Sequence, residues 1–370
     1  MVFNNIVYDI LKYQLIQRTI KKIKNVNLTE VNMGIFACCA DLTTISFPNV
    51  TSIGDYAFCG CSALTTVSFP NVTNIGNSAF QGCSALTTIS FPSVTSIGSY
   101  AFQECSALTT ASFPNVTTIR DYTFQYCTSL TTISFPSVTS IGYGAFQECS
   151  ALTTASFPNA TIIGYDVFQG CSLLTTINFP NVTDIGTYAF QECSTLATAS
   201  FPNATYIGYN AFQSCYSLTT ISFPSATHIY DDAFHDCSAL TTASFPNATY
   251  IASNAFQSCS SLTTISFPSA EYIGSSAFAY CIALTTVSIP NITDINNFVF
   301  QNCYNLISLY LNSVSAVPTL SGTSTFDSTP IGGYSISAGQ YGSIYVPASL
   351  YNSFLTATNW SLYSSRFVSI

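Results

Sequence analysis

The chain repeats itself every 22 residues. Leu42, Leu64, Leu86 and so on to Leu306 open thirteen copies of a unit reading LTTISFPNVTSIGxxAFQxCSA, and the interval never slips. A unit this short cannot enclose a core of its own. Its apolar side must be covered by the units before and after it, which constrains the chain to a solenoid of stacked coils, each touching only its neighbours. The 370 residues are therefore not read as ordinary domains of about 100–200 residues each.

The columns of the repeat say how a coil is built. LTTISF is bounded by Pro48, Pro70, Pro92 and their equivalents. Proline cannot donate to a ladder and stops a strand, so each coil contributes one short rung of a parallel sheet. Leu42, Ile45, Phe47, Val50, Ile53, Ala57 and Phe58, with the same offsets elsewhere, form apolar columns that stacking buries continuously. The Ile column from Ile53 to Ile295 has no exception. Gly54, Gly76 and Gly98 follow it, which suits a turn with positive φ, although Arg120, Tyr230, Ala252 and Asn296 stand at the same offset elsewhere. The middle strand position alternates through Ile89, Ala111, Ile133, Ala155, Ile177, Ala199, Ile221, Ala243 and Ile265, a superperiod of two coils. Duplication of coil pairs explains it, and alternating large and small residues helps coils interdigitate.

Thirteen of the fifteen cysteines fall one per coil from Cys39 to Cys303. The column reads as buried thiols at a fixed corner, because free cysteine behaves as a small hydrophobe with a weak donor. Disulfides along the column are geometrically conceivable if coils stack about 4.8 Å apart. They could join only alternate pairs, and a reducing compartment is the simpler environment.

Only 6% of residues are charged, against about 25% in an average domain, so the Thr, Ser and Asn columns must keep the surface wet. Five of the seven cations (Lys12, Arg18, Lys21, Lys22, Lys24) precede residue 25, leaving Arg120 and Arg366 in an acidic body of net charge -9 for the whole chain. Such a body is a poor nucleic-acid binder. Asp9 and Lys12 interrupt the N-terminal apolar stretch, so it is read as neither signal peptide nor membrane span. The expectation is a chain that is cytoplasmic when made, reaching a virion or a cell surface by a non-classical route. Ile6, Ile10, Leu11, Leu15 and Ile20 recur at helical spacing, which predicts an amphipathic capping helix, with a membrane-surface helix as the alternative.

The organisation read from these patterns is an N-terminal helical cap over 1–34, a solenoid over 35–311 and a C-terminal cap over 312–370. In that cap Ile344 to Val346 reads as a strand and Pro347 as a helix start. Leu350, Tyr351, Phe354 and Leu355 share one helical face, and Trp360, the only tryptophan, packs in this cap.

The coil resembles the BspA-like, or Treponema-type, class of leucine-rich repeats, with consensus C-x-x-L-x-x-I-x-I-P-x-x-V-x-x-I-G-x-x-A-F. Here it reads CSALTTVSFPNVTNIGNSAF from Cys61 to Phe80, one residue shorter after proline than the commoner 23-residue form. The resemblance implies an α/β-type leucine-rich-repeat solenoid of about 13 coils, with its parallel β-sheet on the concave face and short irregular or 3-10 turns on the convex face. It also implies a surface-exposed adhesion protein of bacteria or protists without enzymatic activity. The tail GSIYVPASLYNSFLTATNWSLYSSRFVSI resembles C-terminal segments of such proteins from gut bacteria and their phages.

The candidate binding residues are the strand positions that face outward: Thr44, Ser46, Thr66, Ser68, Thr88, Ser90, Thr110, Ser112, Thr132, Ser134, Thr154 and Ser156. An uncharged hydroxyl array suits hydrogen bonding to a glycan or a polar protein surface; equally, threonine favours strands and pairs with itself across rungs. The Thr-x-Ser lattice is also similar to ice-binding solenoids, which need a flat face. Tyr56, Tyr100, Tyr122, Tyr143, Tyr165, Tyr188 and Tyr209 lie in the variable turn, either as interface anchors or as covers for neighbouring coils.

His228 and His235 with Asp231, Asp232 and Asp236 make one candidate metal site, and Cys38, Cys39, Cys59 and Cys61 a candidate zinc or disulfide cluster; drift in a surface turn and core packing are the competing readings. Sequons at Asn49, Asn71, Asn115, Asn159, Asn181, Asn203, Asn247 and Asn291 come with the repeat. No phosphate loop, nucleophile elbow or Cys-x-x-Cys pair is present, so neither catalytic residues nor cofactor nor metal is expected. The reading is a binding or adhesion module for a protein or glycan surface, with a virion or assembly spacer as the alternative. Oligomeric state is not encoded in any of these features.

Overall fold

The computed structural model describes residues 21–24, 28–334 and 341–370. It is a parallel-strand β-solenoid of about 15 turns of about 22 residues, with little helix, as a leucine-rich repeat requires. Two compact units make up the chain, Met1–Asn178 and Phe179–Ile370.

Each coil lays down two rungs where the sequence pattern announced one. The longer spans the T-x-S triplet, as in Thr88–Ser90, and the shorter ends on the Ile column, as in Ser96–Ile97. Pleating sends Thr88 and Ser90 outward and Ile89 inward. Proline ends the first rung because it has no N–H to give the next coil.

In Met1–Asn178 the long rungs pair in parallel at a shift of one coil, Thr44 with Thr66 and Thr88 with Thr110. The short rungs do likewise, Ser52 with Asn74 and Asn74 with Ser96. In Phe179–Ile370 the same two ladders run through Thr220 with Thr242 and Tyr250 with Tyr272.

The Ile/Ala alternation reappears in the pairing. An Ile rung pairs over three residues with the Ala rung that follows, as in Ile89 with Ala111, Ile133 with Ala155 and Ile221 with Ala243. From an Ala rung to the next Ile rung only the threonines pair, as in Thr110 with Thr132, Thr154 with Thr176 and Thr198 with Thr220. Where Ile and Ala alternate, the long rungs thus gather two by two.

The columns that looked merely polar close the coils onto each other. The hydroxyls of Thr65 and Thr73 donate to the carbonyls of Thr43 and Thr51, one coil back, at 3.0 and 3.2 Å. The residue after proline does the same, Asn71 Nδ2 donating to the carbonyl of Pro48 at 2.8 Å and Asn247 Nδ2 to that of Pro224 at 2.7 Å. These are sequon asparagines, and their amides serve the solenoid itself. Gln81, Gln103, Gln125, Gln147 and Gln169 pass a side-chain amide hydrogen bond from coil to coil.

The core is two interleaved phenylalanine columns. Phe80 and Phe102 of the Ala-Phe column stack at 5.3 Å, Phe91 and Phe113 of the Phe-Pro column at 5.6 Å, and the columns meet at a tilt, Phe91 to Phe102 at 47°. The cysteine column lies beside them, buried from Cys39 to Cys303. Cys149 Sγ donates to the carbonyl of Phe124 and Cys237 Sγ to that of Phe212, each at 3.2 Å. Every cysteine is a free thiol.

One expectation is overturned. Gly54, Gly76 and Gly98 do not have positive φ; they are needed for close approach. A methyl on Gly76 would sit 2.5 Å from the backbone nitrogen of Asp55 and 2.6 Å from the carbonyl carbon of Gly54. The left-handed positions lie further along the turn and are mostly not glycine: Tyr56, Tyr100, Tyr122 and Asn254 in one column, and Glu104, Glu148 and Ser258 with Gly60, Gly82 and Gly170 in another.

A left-handed φ costs an L-residue about 1–2 kcal/mol, and glycine's freedom in the unfolded chain offsets less than that. Ser258, at φ 62°, should therefore tolerate glycine with a gain. Ser258→Gly is expected to stabilise Phe179–Ile370 by about 0.5–1 kcal/mol, read as a higher urea midpoint. A lowered midpoint would show that the turn is unstrained.

The solenoid pattern extends beyond 35–311 at both ends. Lys22–Lys24 is a strand paired with Thr44–Ser46, and Glu30–Val31 pairs with Ser52–Ile53, inside the segment expected to form a helical cap. The helix expected through Ile6 to Ile20 lies outside the described residues. At the other end Ser343–Val346 pairs with Ser308–Tyr310 and then with Phe367–Ser369.

Pro347 leads a 3-10 turn, Ala348–Leu350, into the helix Tyr351–Thr356. Of the expected face only Phe354 is fully buried; Leu350, Tyr351 and Leu355 are half-buried. Trp360 is buried, its Nε1 donating to the carbonyl of Pro318 at 2.7 Å, and Tyr363 donates to that of Thr323 at 2.8 Å. No helix among the described residues is long and apolar enough to cross a membrane.

Candidate functional site

The twelve predicted binding residues all lie on the long-rung ladder of Met1–Asn178. Thr66, Thr88, Thr110, Thr132 and Thr154 are exposed, as are Ser68, Ser90, Ser112, Ser134 and Ser156; Thr44 and Ser46 are half-buried beside Lys22–Lys24. Register places threonine beside threonine and serine beside serine, as in Thr132 with Thr154 and Ser134 with Ser156. Rungs lie about 4.8 Å apart.

The two threonines of LTT divide the work. The first bonds back to the previous coil, as Thr153 does to the carbonyl of Thr131 at 3.0 Å. The second, at Thr66, Thr88, Thr110, Thr132 and Thr154, has no side-chain partner among the described residues and keeps its hydroxyl for solvent or ligand. A shallow depression of about 520 Å³ opens on this face, lined by Thr88, Ile89, Ser90, Thr110, Ala111 and Ser112 among others.

The short-rung ladder carries a second depression of about 490 Å³, lined by Thr95, Ser96, Thr117, Thr118, Arg120 and Asp121 with four neighbours. Asp121 Oδ1 accepts from the backbone N–H of Tyr143 at 2.9 Å, so this carboxylate is held by the next coil.

The turn tyrosines both stack and stay exposed. Tyr100 lies on Tyr122 at 5.1 Å and Tyr143 on Tyr165 at 5.2 Å, while Tyr143 and Tyr165 remain 50% and 52% exposed. Each therefore covers a neighbouring coil and offers an edge outward.

The two candidate metal clusters come apart. His235 sits in the turn with Nδ1 3.3 Å from Asp232 Oδ1 and Nε2 3.7 Å from Asp236 Oδ1. The hydrogen bond its ring donates to Asp232 raises its pKa, burial opposing. His228 stands instead on the short rung beside Tyr230 and Tyr250. Cys39 and Cys61 belong to the buried column, with Cys61 Sγ donating to the carbonyl of Phe36 at 3.0 Å, whereas Cys38 is exposed and Cys59 half-buried. Among the described residues no three His, Cys, Asp or Glu side chains are placed to hold a metal ion.

The short rung also carries what the sequence reading missed. Its outward residue is Ser52, Asn74, Ser96, Thr118, Ser140 and Ile162 in Met1–Asn178, but Asp184, Tyr206, His228, Tyr250, Tyr272 and Asp294 in Phe179–Ile370. The signal was the position before the invariant isoleucine. It was unreadable without knowing that this position faces outward on a second ladder.

Solved structures of similar fold include a leucine-rich repeat protein from Bacteroides ovatus, with TM-score 0.63 and 26% identity over 81% of this chain and 90% of that one. A leucine-rich cell surface protein from Faecalibacterium prausnitzii is 25% identical over 80% of this chain and 88% of its own, with TM-score 0.40. A leucine-rich repeat protein from Eubacterium ventriosum is 21% identical over 88% and 86%, with TM-score 0.45. No curated protein matches the chain. The sequence profile described as BspA type leucine rich repeat region (6 copies) matches residues 29–153, 117–241 and 227–339. With that profile spanning both units and its Leu, Pro, Ile, Phe and Cys columns closing the coils, the chain belongs to the BspA-type leucine-rich-repeat family.

Proposed function

We propose that this chain is a non-enzymatic binding or adhesion module that presents the Thr–Ser face of its long-rung ladder to a glycan or a protein surface. One observation carries the reading: at Thr66, Thr88, Thr110, Thr132 and Thr154 the second threonine of LTT keeps an exposed, unpartnered hydroxyl in register from coil to coil, while the first bonds back to the solenoid. Repeated donors and acceptors about 4.8 Å apart match a ligand that is itself repetitive and polar. Family membership supports a binding role over catalysis.

The test is a triple substitution, Thr88→Lys, Thr110→Lys and Thr132→Lys, compared with the unaltered chain on a glycan array and on cultured host cells. These side chains are exposed, so folding should survive, which circular dichroism checks. Binding is expected to fall at least tenfold. Equal binding by the triple variant would remove this face from the function.

A further inference from the structure

Tyr206, His228, Tyr250 and Tyr272 stand on four successive short rungs, paired Tyr206 with His228, His228 with Tyr250 and Tyr250 with Tyr272. Tyr230 and Tyr209 fill in beside them. Ring centroids lie 4.6 Å apart for Tyr206 and Tyr230, 5.1 Å for Tyr209 and Tyr230, 5.8 Å for His228 and Tyr250, and 4.7 Å for Tyr250 and Tyr272, the last pair within 3° of parallel.

This is a continuous aromatic stripe on the surface. Tyr209 and His228 are exposed, and Tyr206, Tyr230, Tyr250 and Tyr272 half-buried. Mutual stacking explains part of that burial, and no hydroxyl of Tyr209, Tyr230, Tyr250 or Tyr272 has a hydrogen-bond partner among the described residues.

The surroundings are acidic. Asp184 and Asp294 occupy the rungs at the two ends of the stripe. Asp231 lies close enough that its charge, after burial and the Tyr272 phenol, helps push the Tyr250 hydroxyl pKa up. Glu271 adjoins Tyr272, and from Phe179 onward the only Lys or Arg is Arg366.

Tyrosine clusters of this kind are what interfaces use as anchors. Their negative ring faces, phenol oxygens and flanking carboxylates all favour cations. A neutral sugar would gain nothing from the charge of those carboxylates. A phosphate-bearing ligand would be repelled.

We infer that this stripe is a second binding surface, distinct from the Thr–Ser face, and that its ligand is an arginine- and lysine-bearing segment of a partner protein. The inference rests on the binding reading above but on another ladder. A guanidinium set over an outer ring gains a cation–π contact while its N–H groups reach the phenol and carboxylate oxygens.

The experiment uses the full chain and a fluorescent peptide of alternating glycine and arginine, with an alternating glycine–glutamate peptide and a neutral oligosaccharide as comparators. The arginine peptide should bind, and the double variant Tyr250→Ser, Tyr272→Ser should weaken it at least tenfold with no change of net charge. Tyr250→Phe, Tyr272→Phe should recover most of the loss, because the ring survives. The Thr88→Lys, Thr110→Lys, Thr132→Lys variant should keep the stripe's affinity, so failure of one face is separable from failure of the other. The proposal is overturned if the serine variant, folded by circular dichroism, binds within twofold of the original chain, since bulk acidity would then explain the attraction. Preference for the glutamate peptide or the oligosaccharide overturns it as well.

Discussion

Raising the pH above 9 is expected to unfold Phe179–Ile370 over one to two pH units, far more steeply than its few exposed charges would suggest. The cause is the cysteine column. Cys215, Cys237, Cys259, Cys281 and Cys303 are buried, and burial pushes each thiol pKa upward, that of Cys281 from 9.0 to about 12. Burial also raises the Tyr363 hydroxyl to about 12.

In the folded unit these thiols stay protonated while in the unfolded chain they ionise near 9.0. Their contribution is therefore complete below pH 9 and is lost as pH climbs toward the raised folded values. Each such group removes about 1.4 kcal/mol per pH unit in that window, so five together remove about 7. That is comparable to the 5–15 kcal/mol by which a typical domain is stable. Far-UV circular dichroism from pH 8 to 12, with reductant present, measures it. Cys237→Ala with Cys259→Ala should lower the steepness by about 3 kcal/mol per pH unit. A steepness indifferent to the number of thiols would refute the account.

Phe146→Ala should be among the most damaging single truncations in Met1–Asn178. The ring is fully buried, stacked on Phe124 at 5.4 Å and Phe168 at 5.6 Å, and tilted against Phe135 and Phe157 at 6.0 and 5.7 Å. Removing it empties a space bordered by rings whose own positions are fixed by further rings, so collapse is restricted. The expected loss is about 3–5 kcal/mol, seen as a lower urea midpoint. Because coils touch only their neighbours, the damage should be local in hydrogen exchange, centred on the amides of Phe124, Phe146 and Cys149. The exposed Tyr143→Ala should cost less than about 1 kcal/mol. A Phe146→Ala loss below 1.5 kcal/mol would mean that the columns pack loosely.

What could be read from the sequence was whatever the period itself carries. The Leu, Ile, Phe and Cys columns, the outward Thr and Ser, and the docking of Trp360 depend on apolar spacing alone. What escaped depends on conformation or on pairing partners. The glycine after isoleucine signals a special backbone, but composition does not distinguish positive φ from close approach, and the left-handed positions hide under Tyr, Ser, Asn and Glu. Lys22–Lys24 lacks the LTTISF signature and is a strand because Thr44–Ser46 offers it an edge. The aromatic stripe escaped because a two-residue rung such as Tyr250–Ile251 is too short to show alternation.

The pairing of each Ile rung with the Ala rung after it bears on how such an array changes length. Between Ile89 and Ile177, deleting one coil by recombination would set two Ile rungs, or two Ala rungs, against each other. Deleting two rejoins like to like. Within that alternating stretch the tile that preserves every pairing is therefore 44 residues long, twice the repeat that meets the eye.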